Sequence, residues 1–333
     1  MKKLTSNKTK KGEFGIGICK NKKVFYKVIN CGFDEEIRGY NCLKEKHFKI
    51  ANRLFFNSDE NLIVYDYIKS LDKNIFHKTL YSNKRIAYKR IVKLLLCKIN
   101  DIENCKLSES VNSRFFTGRI GLLDKYINSN IDKFNKTLII NGVVLPSLHD
   151  SFLKIKEFIL SDPVVKFAIT QGDPTDLNFS QKGFITDFEV AGKNAIINDI
   201  AIFLGCFIVN SYYYYIKFIK SAHSKEQETF HKFKKYINCE YLENDEGIVV
   251  NTCGILPKRN KKLVLKYLYE IKKHNLIKPD IEVGKLIAFR FCNPVDITQN
   301  LTDKEFGVLA FLISMFANKA LNLDDVIKFI GGI

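Results

Sequence analysis

The chain has 333 residues, of which 46% are hydrophobic and 27% charged, a balance that supports a sizeable core and argues against a disordered protein. Its net charge of +17 favours acidic partners, but it contains no run of five basic residues and no aromatic-basic motif, so we expect no specific nucleic-acid binding. Its nine cysteines, without a C-x-x-C pair, are typical of reduced thiols in a cytoplasmic protein. The basic start at Met1 leads into no apolar stretch, so no signal peptide is expected.

The first 68 residues contain strand-like and helical segments. Gly12–Cys19 and Val24–Ile29 are rich in β-branched and aromatic residues and are separated by a polar turn, which predicts a pair of strands. Asp34 opens a helical stretch with acidic residues in its first turn, as the helix dipole favours. Two further strand-like segments follow at Arg53–Phe56 and Asn61–Ile68. We therefore predict a small antiparallel sheet with one helix.

One face of this predicted helix carries an acidic residue beside larger, less polar ones. Glu36, Tyr40 and Leu43 lie at positions i, i+4 and i+7 and so share that face. Because Tyr40 and Leu43 favour burial, we expect Glu36 to point inward with them. Lys27 lies inside the second strand, where a buried lysine needs an anionic partner. We predict that this partner is Glu36; a purely structural ion pair and two solvated side chains are the alternatives.

From about residue 70 the pattern becomes mainly helical. Periodic apolar faces predict helices over Lys84–Asn104 and Ser151–Leu160. A capping box at Thr302 and Glu305 precedes a further helix over Phe306–Leu321. Two short strand-like pieces interrupt the helical pattern, at Asn178–Ser180 and Gly183–Thr186.

The change of pattern near residue 68 predicts an α+β fold of two lobes. A β-rich N-lobe over residues 1–68 would precede a larger, mostly helical C-lobe over residues 69–333. Within the second lobe, Ile200–Ile219 is an apolar stretch near the minimum length of a membrane-spanning helix. Its polar residues, which include Asn210 and Lys217, favour a helix buried in a globular lobe instead. We therefore expect no membrane span.

The segment most informative about function runs over Thr170–Phe179 and continues at Phe184–Glu189. Asp173 and Asn178 lie five residues apart in a short loop, and Asp187 follows at the end of an apolar strand. Carboxylate and amide oxygens can hold a divalent cation against a triphosphate. A carboxylate near an acceptor hydroxyl can orient it and accept its proton. The pattern therefore indicates phosphoryl transfer, with an ordinary turn at Asp173 as the structural alternative.

This segment resembles the catalytic loop of the aminoglycoside phosphotransferase and choline kinase superfamily, which has a protein-kinase-like fold. The family pattern is a His-Gly-Asp loop, an Asn five residues after the Asp, an Ile-Asp-aromatic-Glu segment and a further Asp at a helix start. The corresponding residues here are Gln171-Gly172-Asp173, Asn178, Ile185-Thr186-Asp187-Phe188-Glu189 and Asn198-Asp199. Gln171 replaces the usual His, which is mainly a packing and hydrogen-bonding residue. The resemblance spans residues 12 to about 205.

The resemblance implies a role for each matching residue. Asp173 would be the catalytic base, and Asn178 and Asp187 would be the Mg²⁺ ligands. Asp199 would brace the catalytic loop. Lys27, paired with Glu36, would hold the α- and β-phosphates of ATP. Further nucleotide contacts are expected from the glycine-punctuated strand and from the connection between the lobes: Gly12, Gly15, Gly17, Tyr65, Asp66 and Tyr67.

The resulting prediction is a cytoplasmic, ATP- and Mg²⁺-dependent kinase that phosphorylates a hydroxyl of a small molecule. The acceptor would be a sugar, an antibiotic or an amino alcohol such as choline, for which Tyr212–Tyr215 could supply an aromatic cage. The alternative is a catalytically silent kinase-like module that binds a nucleotide or a protein. The intact set of Lys27, Asp173, Asn178 and Asp187 argues against that alternative. The short passage from Asp187 to Asp199 leaves little room for the activation loop of a protein kinase.

Overall fold

The chain folds into two compact units. The computed structural model describes residues 1–9, 11–68, 92, 95–96, 102–175, 178–179, 183–208, 238–253, 256, 258–293, 297–298 and 301–333. Unit 1 comprises residues 1–86, 96–101 and 169–193, and unit 2 comprises residues 87–95, 102–168 and 194–333. The grouping differs from the expected division because 169–193, expected in the C-lobe, belongs with the N-terminal residues, to which its side chains and backbone bind directly. The lobe boundary at residue 68 itself stays a prediction.

Unit 1 is built on a six-stranded antiparallel sheet. The four predicted strands are present, and two short strands precede them. The strands are β1 Lys2–Lys3, β2 Asn7–Thr9, β3 Gly12–Cys19, β4 Lys22–Ile29, β5 Arg53–Asn57 and β6 Leu62–Asp66. Their order is β1-β3-β4-β6-β5, with β2 also pairing with β3. Lys27 on the central strand β4 lies opposite Phe14 of β3 and Ile63 of β6, so its position is fixed from both sides.

A single helix, α1 (Phe33–Glu45), crosses from β4 to β5. It begins after Gly32, whose φ of +83° suits glycine, and carries acidic residues in its first turn, as predicted. The predicted inward face is confirmed, since Glu36, Tyr40 and Leu43 are all buried. Tyr40 also forms an edge-to-face ring contact with Phe188 of the later segment, with ring centroids 5.4 Å apart. The helix is therefore fastened to residues far away in the sequence.

Gly39 allows α1 to approach that segment closely. A Cβ atom at position 39 would lie 1.8 Å from the Phe188 carbonyl oxygen. Any residue other than glycine would therefore force the backbone to shift. An isolated glycine inside a helix normally lowers helix stability by about 1 kcal/mol relative to alanine. The cost is offset here because backbone-to-backbone contact brings the Phe188 amide within reach of Glu36.

Gly39→Ala is expected to destabilise the protein by about 2–3 kcal/mol, because the new methyl group forces α1 away from Phe188. Urea unfolding measures the loss. Gly331→Ala is the matched control, since it also lies in a helix and a Cβ there meets nothing within 4 Å. The control should be unchanged or slightly more stable. Equal effects of the two substitutions would contradict the close approach.

Unit 2 contains the remaining elements. The strands are β7 Glu103–Lys106, β8 Leu138–Ile140, β9 Val143–Leu145, β10 Val164–Thr170, β11 Gly192–Ala195, β12 Asn238–Glu243 and β13 Ile248–Cys253, with β10 and β11 each running across the boundary between the units. The helices are α2 Gly121–Ile127, α3 Leu148–Leu160, α4 Ile196–Leu204, α5 Lys258–Lys273, α6 Val283–Cys292, α7 Asp303–Asn318 and α8 Leu323–Gly332. Short 3-10 turns lie at Leu107–Glu109, Val111–Phe115, Thr117–Arg119 and Asp132–Phe134. The predicted capping box of Thr302 and Glu305 is confirmed at the start of α7.

The strands of unit 2 add to the predicted, mostly helical second part a sheet that the sequence did not indicate. β12, β13, β8 and β9 form a four-stranded sheet in that order, in which β13 runs parallel to β8. β8 and β9 have three residues each, too few for a strand period to be visible in the sequence. The helix predicted over Lys84–Asn104 is wrong at its end, because Glu103 and Asn104 belong to β7 and pair with β10. The α+β class itself is confirmed by the described elements.

The apolar stretch at Ile200–Ile219 is described only in part. Its first residues belong to α4 and are buried, while residues 209–219 lie outside the described part of the chain. In the described ranges we find no helix of the length and apolar character needed to cross a membrane.

Candidate active site

The buried carboxylate of Glu36 is the centre of a hydrogen-bonded group in unit 1. Lys27 Nζ donates to Glu36 Oε1 at 2.7 Å, and the Tyr65 hydroxyl donates to the same oxygen at 3.2 Å. The Phe188 backbone N–H donates to Glu36 Oε2 at 2.8 Å. Both oxygens of a residue with 1% exposure are therefore satisfied. The predicted pairing of Lys27 with Glu36 is present in the structure.

Lys27 also contacts a second carboxylate. Its Nζ lies 3.2 Å from Asp187 Oδ1, so one amine joins α1 to the segment that follows the loop. Burial lowers the pKa of Lys27, but the charges and hydrogen bonds of Glu36 and Asp187 more than offset that effect and raise its pKa above the ordinary value. Lys27 therefore stays a cation throughout the physiological pH range, as a phosphate-binding group requires.

Asp187 presents its carboxylate from an unusual backbone conformation. Its φ is +62°, in the left-handed region that aspartate tolerates better than most residues. The neighbouring Phe188 ring packs against Tyr40 and Tyr65, with centroids 5.4 and 6.1 Å apart, which fixes the backbone that follows. The Asp187 side chain itself is 46% exposed. The segment is thus anchored by Phe188 while the carboxylate reaches solvent.

The loop before this segment holds Asp173 and Asn178 together. Gly172 has a φ of +80°, which turns the chain ahead of Asp173. Asn178 Nδ2 donates to the Asp173 carbonyl at 2.9 Å and to Asp173 Oδ2 at 3.1 Å. The Thr175 N–H donates to the same carbonyl at 2.6 Å. The five-residue spacing therefore closes a compact loop in which Asn178 orients the Asp173 carboxylate.

Gln171 connects this loop to Asp187. Its Nε2 donates to the Asp187 carbonyl at 2.7 Å and to the Thr186 carbonyl at 3.3 Å, and its Oε1 accepts the Asp173 N–H at 2.9 Å. The side chain is 3% exposed. Gln171 thus supplies the hydrogen bonding expected of the histidine that it replaces. It joins the backbones of the two aspartates without carrying a charge.

The two short strand-like pieces predicted around residue 180 pair through single residues. Phe179 bridges Ile185 in antiparallel fashion, and the Thr186 N–H donates to the Asn178 carbonyl at 3.0 Å. Ser180 lies outside the described residues. The pairing brings the backbone of Asn178 next to that of Thr186, the residue before Asp187.

The oxygen donors of this loop fit a magnesium ion. Asp187 offers an exposed carboxylate, and Asn178 offers its Oδ1, since its Nδ2 is used toward Asp173. Mg²⁺ commonly takes one or two such protein ligands and completes its shell with phosphate oxygens and water. Among the described residues there is no cluster of three acidic, histidine or cysteine side chains around one point. A magnesium site at Asn178 and Asp187 stays a prediction.

The glycines of β3 have structural neighbours that the sequence did not reveal. A Cβ at Gly15 would lie 2.0 Å from the Thr5 carbonyl oxygen, and one at Gly17 would lie 2.9 Å from the Lys2 carbonyl oxygen. The chain before β3 therefore already requires both glycines. Their expected contact with a nucleotide remains a prediction.

Asp66 and Tyr67 lie at the end of β6. The Asp66 N–H donates to the Asn52 carbonyl at 2.8 Å, and Asn52 Nδ2 donates to Asp66 Oδ2 at 3.2 Å. Lys23 Nζ lies 4.0 Å from the centre of the Tyr67 ring. These contacts fix the end of the strand, and the expected role in adenine binding remains a prediction.

Other predicted residues are not brought into this group. Asp199 belongs to unit 2, where Asn112 Nδ2 donates to its Oδ1 at 2.8 Å, and its expected brace to the catalytic loop remains a prediction. Tyr212–Tyr215 lie outside the described residues. Sequence reasoning missed the site contacts of Tyr65, Phe188 and Gly39, for which the isolated glycine in a helical pattern was the one available signal.

Comparison with known proteins gives structural matches. No protein-family model and no curated protein sequence matches the chain. The structure of the choline kinase LicA from Streptococcus pneumoniae matches 95% of this chain and 94% of its own, with 12% identity and a TM-score of 0.42. A choline/ethanolamine kinase family protein from Mesorhizobium loti matches 93% of this chain and 92% of its own, with 12% identity and a TM-score of 0.34.

Both matches carry names of choline or choline/ethanolamine kinases. Because both TM-scores lie below 0.5, the functional proposal rests on the side-chain geometry of unit 1.

A double-mutant cycle tests whether Lys27 and Glu36 act as one unit. Lys27→Met and Glu36→Gln are each expected to lower the free energy of unfolding by about 3–5 kcal/mol, because each leaves a buried partner uncompensated. The double variant should lose about 1–3 kcal/mol less than the sum. Denaturant unfolding supplies all four values.

The exposed pair of Lys272 and Asp324, with Nζ and Oδ1 2.6 Å apart, is the matched control for this cycle. Substituting it in the same way should reveal a coupling below about 1 kcal/mol. A coupling between Lys27 and Glu36 as small as the control value would contradict the buried, mutually dependent pair described here.

Proposed function

We propose that this protein is a small-molecule kinase that transfers the γ-phosphate of ATP to a hydroxyl group with the help of Mg²⁺. The observation that carries the proposal is the direct connection of Lys27, Glu36, Asp187, Gln171 and Asp173 through four hydrogen bonds. This connection sets one cation, one exposed carboxylate and one loop carboxylate in fixed relation. Phosphoryl transfer relies on such fixed charges more than on covalent chemistry by the protein.

The residues take distinct parts in the proposed reaction. Lys27 binds phosphate oxygens, and Glu36 holds its amine in place. Asn178 and Asp187 would hold the magnesium ion, which would supply positive charge against the phosphates. The Asp173 carboxylate orients the acceptor hydroxyl and accepts its proton as the new P–O bond forms and the bond between the γ-phosphate and ADP breaks. The hydrogen bonds of Gln171 fix the backbone of Asp173 relative to that of Asp187.

The acceptor is proposed as a small alcohol. The sequence resemblance to choline kinases and aminoglycoside phosphotransferases makes choline, ethanolamine and sugars the first compounds to test. We also propose a cytoplasmic location, for which the free cysteines among the described residues are the support.

Asp173→Asn is expected to lower kcat by at least about a hundredfold, because the amide cannot accept the hydroxyl proton. The Kd for Mg-ATP should change by less than about threefold. Transfer of radiolabelled γ-phosphate to the acceptor mixture, together with calorimetry of Mg-ATP binding, measures both quantities.

Asp59→Asn is the matched control, since Asp59 lies in an exposed turn of the same unit. It should leave both kcat and the Kd unchanged. An Asp173→Asn variant with wild-type kcat would remove Asp173 from the chemistry. A wild-type protein that binds Mg-ATP but transfers phosphate to no tested alcohol or water would favour the catalytically silent module.

A further inference from the structure

A second lysine lies against the segment that carries Asp187. Lys11 Nζ is 2.5 Å from Glu189 Oε1, two residues beyond Asp187. The lysine side chain is 62% exposed, whereas that of Glu189 is 15% exposed. The contact therefore joins an exposed lysine to a carboxylate that is mostly covered. The role already assigned to Lys27 does not account for it.

The backbone around Lys11 is held in place. Lys11 precedes Gly12, whose φ is +144° and whose Cβ would lie 2.0 Å from the Val28 carbonyl oxygen, so that only glycine fits. The Lys11 carbonyl accepts the Asn30 N–H at 2.9 Å, just past the end of β4. The connection between β2 and β3 is therefore fixed to the same end of β4 that follows Lys27.

Lys27 and Lys11 bind side chains of one short segment. Lys27 binds Asp187 and Lys11 binds Glu189, two residues whose Cα atoms are at most about 7 Å apart. Both cations therefore lie along the piece of chain that carries Asp187. Lys27 has the buried partner Glu36, whereas Lys11 is exposed and pairs with Glu189.

Glu189 has a second carboxylate of unit 1 near it, that of Glu35. Oε2 of Glu189 and Oε2 of Glu35 would lie 3.5 and 3.7 Å from a Cβ atom at Gly32, respectively. Because the Lys11 side chain is exposed, water screens its charge and the ion pair with Glu189 contributes only about 1 kcal/mol or less, so another anion can replace Glu189. A polyphosphate brings more charge and several acceptor oxygens to the same amine. Lys11 is therefore paired with a carboxylate, that of Glu189, which a phosphate group can displace.

We propose that Lys11 is a second phosphate-binding cation, held on Glu189 when no nucleotide is bound and transferred to the terminal phosphates of Mg-ATP on binding. The proposal rests on the proposed function of this site. Under this proposal, replacing Glu189 and replacing Lys11 change the affinity for Mg-ATP in opposite directions, because the Glu189 carboxylate competes with the nucleotide for the Lys11 amine. A purely structural ion pair would instead give both residues the same effect.

Calorimetric titration of the full chain with Mg-ATP and with adenosine tests this assignment at low salt. Lys11→Gln should weaken Mg-ATP binding about tenfold, the loss of one charge-assisted hydrogen bond, and leave adenosine binding unchanged. Glu189→Gln should strengthen Mg-ATP binding about two- to fivefold, because the competing carboxylate is removed.

Two variants control for the change in net charge. Lys22→Gln removes an exposed lysine at the far end of the β3–β4 hairpin, and Glu60→Gln removes an exposed carboxylate of the same unit. Both should alter Mg-ATP affinity by less than about twofold. Thermal unfolding of every variant verifies that each is folded before binding is compared.

Opposite signs for Lys11→Gln and Glu189→Gln, beyond their controls, would support the proposal. If wild type binds Mg-ATP and the two substitutions shift the affinity in the same direction, or Lys11→Gln matches Lys22→Gln, the assignment of Lys11 is overturned and the kinase proposal stands. Absence of Mg-ATP binding by the wild-type protein would overturn both.

Discussion

The buried carboxylate of Glu36 is the constraint on which the rest of unit 1 depends. It sits at 1% exposure and accepts hydrogen bonds from β4, β6 and the 187–189 segment, through Lys27, Tyr65 and the Phe188 N–H. Removing one of these donors leaves a charged group in a poorly solvated place. Three pieces of chain that are distant in sequence are thereby held to one point.

The buried ion pair of Lys27 and Glu36 is not by itself evidence that these residues serve stability alone. Moving two charges out of water costs several kcal/mol per ion, and hydrophobic replacements of similar shape are often at least as stable. A fixed cation beside an exposed carboxylate is nevertheless what a triphosphate with its metal requires. We therefore connect the arrangement of Lys27, Glu36 and Asp187 with the proposed ligand binding rather than with folding energy alone.

Close packing keeps this arrangement rigid. The absence of a side chain at Gly39 lets α1 touch the Phe188 carbonyl, and the rings of Tyr40, Tyr65 and Phe188 close around that contact. Gln171 then binds the Asp187 carbonyl and the Asp173 N–H, which fixes the two backbones relative to each other. The chemistry proposed for Asp173 thus depends on a helix contact that lies outside the loop itself.

The sequence predicted those parts of the site that are encoded locally. Helical spacing placed Glu36 on the buried face, and the five-residue spacing placed Asp173 and Asn178 together in one short loop. The hydrogen bonds of Gln171 and Tyr65 could not be predicted, because their partners come from distant segments. The sheet of β12, β13, β8 and β9 was missed because β8 and β9 have three residues each, and because the pairing of β13 with β8 joins segments far apart in sequence. The expected roles of the site residues came from the family resemblance, whereas the hydrogen bonds between them came from the structure.

The most direct measurement of the central claim is the melting temperature of the wild-type protein and of Asp187→Ala with and without Mg-ATP. A ligand that binds the folded state alone stabilises it by about 2.7 kcal/mol at a hundred times its Kd. The account predicts a clear rise for the wild type that is lost in Asp187→Ala and absent when magnesium is removed. No rise in the wild type at millimolar Mg-ATP, or an equal rise in the variant, would contradict a metal-nucleotide site at Asp187.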